Sequence, residues 1–355
     1  YSPSDDFGER RLLEVLALLL PGATPASLVL THQSVTGRQL TANGFIPLSG
    51  FRVAGAPSLI MHFDRKKKRS KVAERFDRQV RAFGAQGQLT LGDLRVAVIG
   101  AGGIGSVVAE QLARAGIAEL TIVDDDVVER SNLSRLFGAT IRTAPGLAKA
   151  EILARHVKRL GAKRITALKR NALSQSLLLL LRECDLVFSC VDNDRTRAVL
   201  SRFAHQYLIP LIDMGARLDA RVGRVTAAAG RVSIVGSGLT CLRCSNHLNS
   251  DRIRAESLSA ERRTALAREG YVMGIDEPAP AIVSINTVVG GLGVTGGLNL
   301  FVNLTGGVQP LDQAYDATSG SVFPISPRHD TGCDICDETA GLKGLGDLQV
   351  VSAYP

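Results

Sequence analysis

Four glycines and three aspartates give the first chemical signal in this 355-residue chain. Gly100, Gly102, Gly103 and Gly105 form a GxGGxG turn, and Asp124, Asp125 and Asp126 follow. Glycine lets backbone approach a phosphate, and the helix opened by such a turn offers free N–H groups and a partial positive charge. An acid at the end of the next strand, about twenty residues on, suits a ribose diol. The pattern points to a bound nucleotide without saying which, because NAD and FAD enzymes share it. A tight turn that needs glycine for backbone reasons alone is the plainer alternative.

Sulfur makes the second constellation. There are six cysteines, Cys184, Cys190, Cys241, Cys244, Cys333 and Cys336, and the last four form two CxxC pairs. In a cytoplasmic enzyme such pairs point to Zn2+ rather than disulfides. Four thiolates leave no open coordination position, so the expected ion is structural. Roughly ninety residues separate the pairs, far more than in a local finger, so the metal would staple the C-terminal end back onto its domain. Two unrelated reduced thiol pairs are the alternative.

The surrounding elements must position these groups. Residues 94–99 are a β-branched run of the kind found in buried parallel strands, 104–115 have helical spacing ending at Gly116, and 120–123 form a second strand. Beyond this βαβ unit, the spacing predicts helices over 147–160, 174–184 and 195–206, and strands over 165–168, 186–190 and 208–214. Val and Ile in 221–234 predict two antiparallel strands. The expected fold class is α/β, a Rossmann-like mixed sheet of parallel strands with an antiparallel extension, flanked by helices. Residues 1–70 read as a small N-terminal α+β domain, with a helix over 9–20, a strand over 27–31, a hairpin over 37–48 turning at Asn43-Gly44, and strands at 52–53 and 59–63. The main domain is expected over 71–340, with a tail over 341–355. His32 and His62 have no acid or cysteine at ligand spacing and read as ordinary histidines.

The net charge of +8 is partly one run, RKKKRSK at 65–71. No aromatic residue interleaves it, so a solvated linker fits better than a nucleic-acid or membrane patch. Residues 281–302 are apolar but carry Asn286, Asn299 and several glycines, which favours a buried helix over a membrane span. No signal peptide is visible, and the chain starts at Tyr1 without methionine, so the true start can lie upstream. The expected protein is cytoplasmic and binds neither nucleic acid nor membrane.

A series of short motifs then follows in order: RFDRQ at 75–79, GAGGIG at 100–105, IVDDD at 122–126, SNLSR at 131–135, GLAK at 146–149, SCVDN at 189–193, CLRC at 241–244, EPAPAIVSIN at 277–286 and CDIC at 333–336. In that order they resemble the ThiF/MoeB/HesA family, homologues of ubiquitin-activating enzymes. The resemblance implies an adenylyltransferase that uses ATP and Mg2+ to join AMP to the C-terminal glycine carboxylate of a ubiquitin-like or sulfur-carrier protein, releasing pyrophosphate. It implies a homodimer, with a conjugating-enzyme-like protein as a candidate second partner. Carboxylate and triphosphate are both anionic, so such a reaction rests on positioning and on surrounding cations.

By the same resemblance, Asp124 binds the ribose hydroxyls, and Asn132 and Arg135 contact ribose and phosphate. Lys149 holds the phosphates as a point charge. Arg78 acts in trans on the γ-phosphate in the partner subunit's site. Asp192, at the carboxyl end of a parallel strand, holds Mg2+. The plainer alternatives are surface ion pairs for Arg78 and Arg135, a solvated helix position for Lys149 and an N-cap for Asp192. Asp125 and Asp126 receive no role.

Two departures from the family pattern stand out. Leu136 follows the SNLSR arginine where the family often has glutamine, which removes a nucleotide contact. No cysteine occurs in 265–285, where thioester-forming members carry one. Of the cysteines outside the pairs, Cys190 is expected to be buried and inert. The chemistry therefore ends at the acyl-adenylate, or its nucleophile lies beyond Pro355 or on a partner. Three functions are in play: activation of a ubiquitin-like protein in a bacterial-type conjugation pathway or of a sulfur carrier, a NAD-dependent oxidoreductase, and a non-catalytic scaffold for a ubiquitin-fold partner. Intact Arg78, Lys149 and Asp192 argue against the scaffold.

Overall fold

A computed structural model describes residues 3–30, 35–48, 50–54, 59–62, 72–143, 145–259, 261–263, 280–302, 304–306, 309–326 and 328–346. His32, the basic run at 65–71, the start of the EPAPAIVSIN motif and the last nine residues lie outside them. The chain divides into two compact units, Tyr1–Val53 with Ser58–Lys71, and Ala54–Pro57 with Val72–Pro355.

In the first unit, α1 (Pro3–Leu19) accompanies a three-stranded antiparallel sheet of β1 (Ala26–Leu30), β2 (Val35–Thr41) and β3 (Gly44–Pro47). A separate hairpin pairs β4 (Gly50–Val53) with β5 (Leu59–His62). Arg38 ties helix to sheet: its Nε donates to Glu9 at 3.1 Å and its guanidinium lies 4.0 Å from the Phe45 ring centre. Leu13 is the buried apolar residue of α1, whereas Phe7, Leu12, Val15, Leu18 and Leu19 are exposed.

The second unit begins with α2 (Asp77–Asp93), kinked at Phe83 and Gly84. Then come β6 (Arg95–Ile99), α3 (Gly103–Ala115), β7 (Glu119–Val123), α4 (Lys149–Arg159), β8 (Arg164–Leu168), α5 (Gln175–Leu181), β9 (Leu186–Ser189) and α6 (Asp194–Tyr207). The chain continues through β10 (Leu211–Arg221), β11 (Arg224–Val235), α7 (Ser250–Glu256), α8 (Val283–Val302), β12 (Asp312–Asp316) and β13 (Ser321–Pro324). One eight-stranded sheet results, in the order β13-β12-β11-β10-β9-β6-β7-β8. The strands from β10 to β8 are parallel, and β10 to β13 pair antiparallel. Strands such as RVAVI and LVFS are buried along nearly their whole length, as strands covered on both faces must be.

β6 has β7 on one side and β9 on the other, so the crossovers leave it in opposite directions. That reversal opens a crevice at the carboxyl ends of β6 and β9, where open α/β sheets bind ligands. The antiparallel extension differs from expectation. The fifth parallel strand itself runs on through polar GARLDAR to Arg221 and turns back at 222–223. β12 is short and polar, and β13 is only four residues long, so pairing with neighbours rather than composition makes them strands.

α8 is long and apolar enough to cross a membrane, yet it is a core helix here. It packs on α3, β10 and β11, and Val289, Val294, Leu298 and Leu300 are buried. Its glycines permit the close approach: a Cβ added at Gly293 would stand 2.1 Å from the Met214 sulfur.

Candidate functional site: a nucleotide turn and a tetracysteine cluster

The glycine turn lies at the crevice. Gly100 takes φ 92° and donates its N–H to Val123 at 2.8 Å. A Cβ at Gly100 would stand 2.8 Å from the Cys190 carbonyl oxygen, and one at Gly105 would stand 1.8 Å from that of Gly100. These two glycines are thus required by backbone packing. Gly102 is different: it is the N-cap of α3, no side chain caps the helix there, and a Cβ would meet nothing within 4 Å. Its open side leads to the unpaired N–H groups of the first turn of α3, an anion-binding position.

Asp124 clamps this turn to the end of β7. Its Oδ2 accepts from the Ala101 N–H at 2.6 Å and its Oδ1 from the Asp126 N–H at 2.9 Å. Burial pushes its pKa up, against the pull of those two backbone bonds and of Lys149. Lys149 opens α4 and is largely covered, with Nζ 2.7 Å from Asp126 Oδ2, so it is no solvated helix residue. The neighbouring acids therefore have duties too: Asp126 orients Lys149, and Asp125 accepts from Asn171 at 3.0 Å.

Arg135 crosses the turn, its Cδ 3.5 Å from where a Gly103 Cβ would be, and its Nη1 donates to the Ser131 carbonyl at 3.2 Å. Among the described residues it makes no ion pair. Asn132 is buried, and its Oδ1 accepts from the Glu129 N–H at 3.1 Å in a reciprocal cap of a short 3-10 turn, so it shapes this loop from within. Leu136 is buried against Val128 and Ile152. The expected loss of a polar contact is thus also the gain of an apolar anchor.

Asp192 lies three residues past the end of β9, on the loop whose Cys190 carbonyl closes on Gly100. It is exposed, and among the described residues its carboxylate has no hydrogen bond or ion pair. The N-cap of α6 is Asn193, whose side chain accepts from the Thr196 N–H at 2.8 Å, so Asp192 is free of that role. Its own carbonyl accepts from Arg252 Nη2 at 2.8 Å, and Arg252 Nε is held by Glu256 at 3.0 Å, so α7 fixes the loop from outside. Burial, and then the charge of Asp213, hold the Cys190 thiol well above the ordinary thiol range, which disqualifies it as a nucleophile.

Arg78 stands apart from this group. In the RFDRQ stretch, Arg75 donates to the Leu160 carbonyl at 3.4 Å, and Gln79 donates to the Arg114 carbonyl at 3.0 Å. These bonds fasten the start of α2 to the C-terminal ends of α4 and α3, while the glycine turn lies at the N-terminal end of α3. Arg78 itself is exposed, without an ion pair among the described residues.

The four paired cysteines converge, with all sulfurs within 4.8 Å of one another. Cys241 and Cys333 sulfurs are 3.8 Å apart, and those of Cys244 and Cys336 are 3.7 Å apart. A tetrahedron with metal–sulfur bonds of about 2.3 Å has edges of about 3.8 Å, so the donor set fits a tetrathiolate centre. Burial pushes Cys241, Cys244 and Cys336 up to about 12. Burial also acts to raise Cys333, but hydrogen bonds from the Cys336 and Ile335 backbone and from neighbouring thiols outweigh it and bring it down to about 6. Arg243 Nη2 lies 3.1 Å from the Cys333 sulfur and is itself bonded to Asp334, which supplies positive charge beside the thiolates.

The sequence profile of the ThiF family matches residues 76–334. The chain belongs to the ThiF family. Relatives include the molybdopterin-synthase adenylyltransferase of Escherichia coli (strain K12), 32% identical over 49% of this chain and 68% of that protein. The adenylyltransferase and sulfurtransferase UBA4 of Yarrowia lipolytica is 34% identical over 48% of this chain, which spans only 41% of that longer protein. The tRNA threonylcarbamoyladenosine dehydratase of E. coli is 31% identical over 40% of this chain and 53% of that one. Among solved structures, E. coli MccB with AMPCPP and MccA superposes with TM-score 0.59 at 17% identity, over 77% of this chain and 75% of that one. At that identity the likeness is one of fold.

Within this ThiF fold an ionic network centred on a residue outside every motif lies beneath the crevice. Asp213, fully buried in β10, accepts from Arg197 Nη2 and Arg231 Nη2, each at 2.7 Å, and from Ser189 Oγ at 2.9 Å. Arg197 also donates to Asp194 at 2.8 Å, and Asp194 accepts the Asn249 N–H at 3.0 Å. The network ties the carboxyl end of β9 and the start of β10 to α6, β11 and the residue that caps α7. Its sequence signal was an aspartate inside the apolar run LIPLIDMG, because a buried charge must be paired.

Proposed function

We propose that this chain activates the C-terminal glycine carboxylate of a ubiquitin-like or sulfur-carrier protein as its adenylate. The observation that carries the reading is the open N-terminus of α3 at the sheet's switch point, with Asp124, Arg135, Lys149 and Asp192 around it. A carboxylate oxygen would form a bond to the α-phosphorus of ATP as the bond to the β-phosphate oxygen breaks and pyrophosphate leaves. Asp124 would hold the ribose, the glycine turn and Arg135 the α-phosphate, and Lys149 the outer phosphates. Asn132 would order the loop that carries Arg135. Asp192, exposed and without a side-chain partner among the described residues, suits Mg2+, which uses few protein carboxylates and supplies charge neutralisation at the phosphates.

The finer reading is the activating step of a bacterial-type ubiquitin-like conjugation pathway. Its support is negative: no thiol fit to be a nucleophile accompanies the site among the described residues, so an acyl-adenylate would pass to a conjugating-enzyme-like partner. The cysteine cluster is proposed as a structural Zn2+ site, which suits a reducing cytoplasm. The N-terminal unit, with Phe7, Leu12, Val15, Leu18 and Leu19 exposed on α1, is proposed as a protein-binding module. Truncating it should spare ATP binding and change the choice of partner.

ATP–pyrophosphate exchange with candidate carriers tests the main reading. Exchange that requires both a carrier and its terminal glycine supports it. Carrier-independent binding of NAD with no exchange would refute it.

A further inference from the structure

Asn286 is the fourth residue of α8, a helix whose start otherwise reads VSI–TVVGGLGV. It is 5% exposed, and among the described residues its side-chain amide has no hydrogen-bond partner. The other asparagine of the same helix shows how such a group is ordinarily accommodated. Asn299 donates to Thr305 Oγ1 at 3.1 Å and Gln309 Oε1 at 2.9 Å, and accepts the Thr305 N–H at 3.1 Å. The residue is largely covered, yet its amide is neither paired nor sealed away from solvent, so a polar group is left facing open space on a largely apolar helix.

Its direction supplies a reason. A Cβ added at Gly103 would stand 2.2 Å from Asn286 Nδ2, with Arg135 Cδ next nearest among side chains at 3.5 Å. The amide therefore lies against the first residue of α3. Further along, Gly290 meets Val107 and Gly291 meets Gln111, so α3 and α8 run parallel and both begin at the glycine turn. Two helix N-termini, each with first-turn N–H groups that have no partner inside the helix and with partial positive charge, converge on one place. Gly103 leaves room for the amide, and Gly102 leaves the approach to it open.

We propose that Asn286 is a phosphate-contacting residue of this site, donating its side-chain N–H to an anionic oxygen of the bound nucleotide. The inference rests on the nucleotide reading above and adds to it a ligand group from the far end of the chain. A neutral donor suits this position. It binds phosphate without pairing with Asp192 or Asp124, as a lysine there would. It also explains why the start of α8 is polar where its packing is apolar.

Titration calorimetry with MgATP and with adenosine, on the full chain, tests this. Asn286→Ala should weaken MgATP about ten- to hundredfold, the usual loss for a hydrogen bond to a charged group, and leave adenosine within about twofold. Asn286→Asp keeps the shape and adds a negative charge, so it should weaken MgATP further and again spare adenosine. Asn299→Ala should lower the melting temperature without moving MgATP affinity. MgATP binding within about twofold of wild type in both Asn286 variants overturns the proposal, as does an equal loss for adenosine, which would mark a packing role. A wild-type chain that binds neither ligand overturns the nucleotide reading itself, a different failure from Asn286 being silent in a chain that binds.

Discussion

Gln79 donates its side-chain amide to the backbone carbonyl of Arg114 at 3.0 Å, fastening the turn that carries Arg78 to the far end of α3. That helix has 13 residues, so about 20 Å separates Arg78 from the glycine turn of its own chain. An arginine side chain cannot cover that distance. If Arg78 serves the phosphates, it does so in a second copy with two-fold symmetry. Arg78→Ala and Asp192→Ala should each be inactive. Mixed and allowed to exchange, they should recover about a quarter of wild-type activity, because half of the dimers carry one hybrid site with both residues intact. No recovery after proven subunit exchange would place Arg78 outside the reaction.

The sequence made the glycine turn, the parallel strands and the cysteine pairs legible because each is set locally. A turn that needs glycine, a continuous apolar run and a CxxC spacing can all be read within a few residues. Arg78 and Lys149 could be named from motifs, and Lys149 placed near a helix start, but not the fastening of the Arg78 turn to the far end of α3. Asp213 and Asn286 stayed hidden for a different reason. Their meaning depends on partners, or missing partners, from distant segments: Arg231 and Ser189 for one, Gly103 for the other. β12 and β13 were hidden likewise, since their strand character comes from the neighbour they pair with.

His205 links the fold to acidity. It is 3% exposed on α6, its Nε2 has no hydrogen-bond partner among the described residues, and its carbonyl accepts the Gly344 N–H at 3.1 Å. Burial, and then the charge of His329, lower its pKa from 6.5 to about 4. The folded chain thus keeps this imidazole neutral where the unfolded chain protonates it. Stability is unaffected above pH 6.5, falls as pH drops below that, and stops falling from this cause below about pH 4. The loss should be about 2 kcal/mol at pH 5 and about 3 kcal/mol in full. Urea unfolding of wild type and His205→Gln across pH 4 to 8 reads this directly. An unchanged pH slope in the variant would assign the acid sensitivity elsewhere.

For the cysteine cluster, the thiol that is held at about 6 is ionised at neutral pH, while the three at about 12 are not. Binding Zn2+ to the metal-free cluster at pH 7.5 should therefore release about three protons. The chain as purified under reducing conditions should carry about one zinc. Its affinity should fall as pH falls, so a chelator should strip the metal more readily at pH 6 than at pH 8. Cys241→Ser should lower the melting temperature more than it lowers pyrophosphate exchange, since a closed site has no position for substrate. Elemental analysis that finds no zinc in an unchelated, reduced sample would remove the assignment.

The chemistry itself is most exposed to test at Asp192. Its carboxylate is unpartnered among the described residues, at the loop that closes on Gly100, while Arg252 and Asn193 hold the backbone around it. Replacing it should therefore spare the fold, because no core contact is lost. It should not spare the reaction: removing one charge-stabilising group from a preorganised site typically costs about a hundredfold or more in rate. Asp192→Ala should reduce AMP transfer at least that far, with a melting temperature within a few degrees of wild type. Asp192→Asn should do nearly the same, since an amide is a poor ligand for Mg2+. The carrier's end should matter as much. A glycine terminus has no side chain to obstruct its approach to a phosphorus held at the glycine turn, whereas a bulkier residue meets the backbone of that turn. Pyrophosphate release should thus require the native terminus and fail with a carrier lacking its last glycine. Equal rates with both termini, or near-normal turnover by Asp192→Ala, would mean that this crevice is not a carboxylate-adenylating centre.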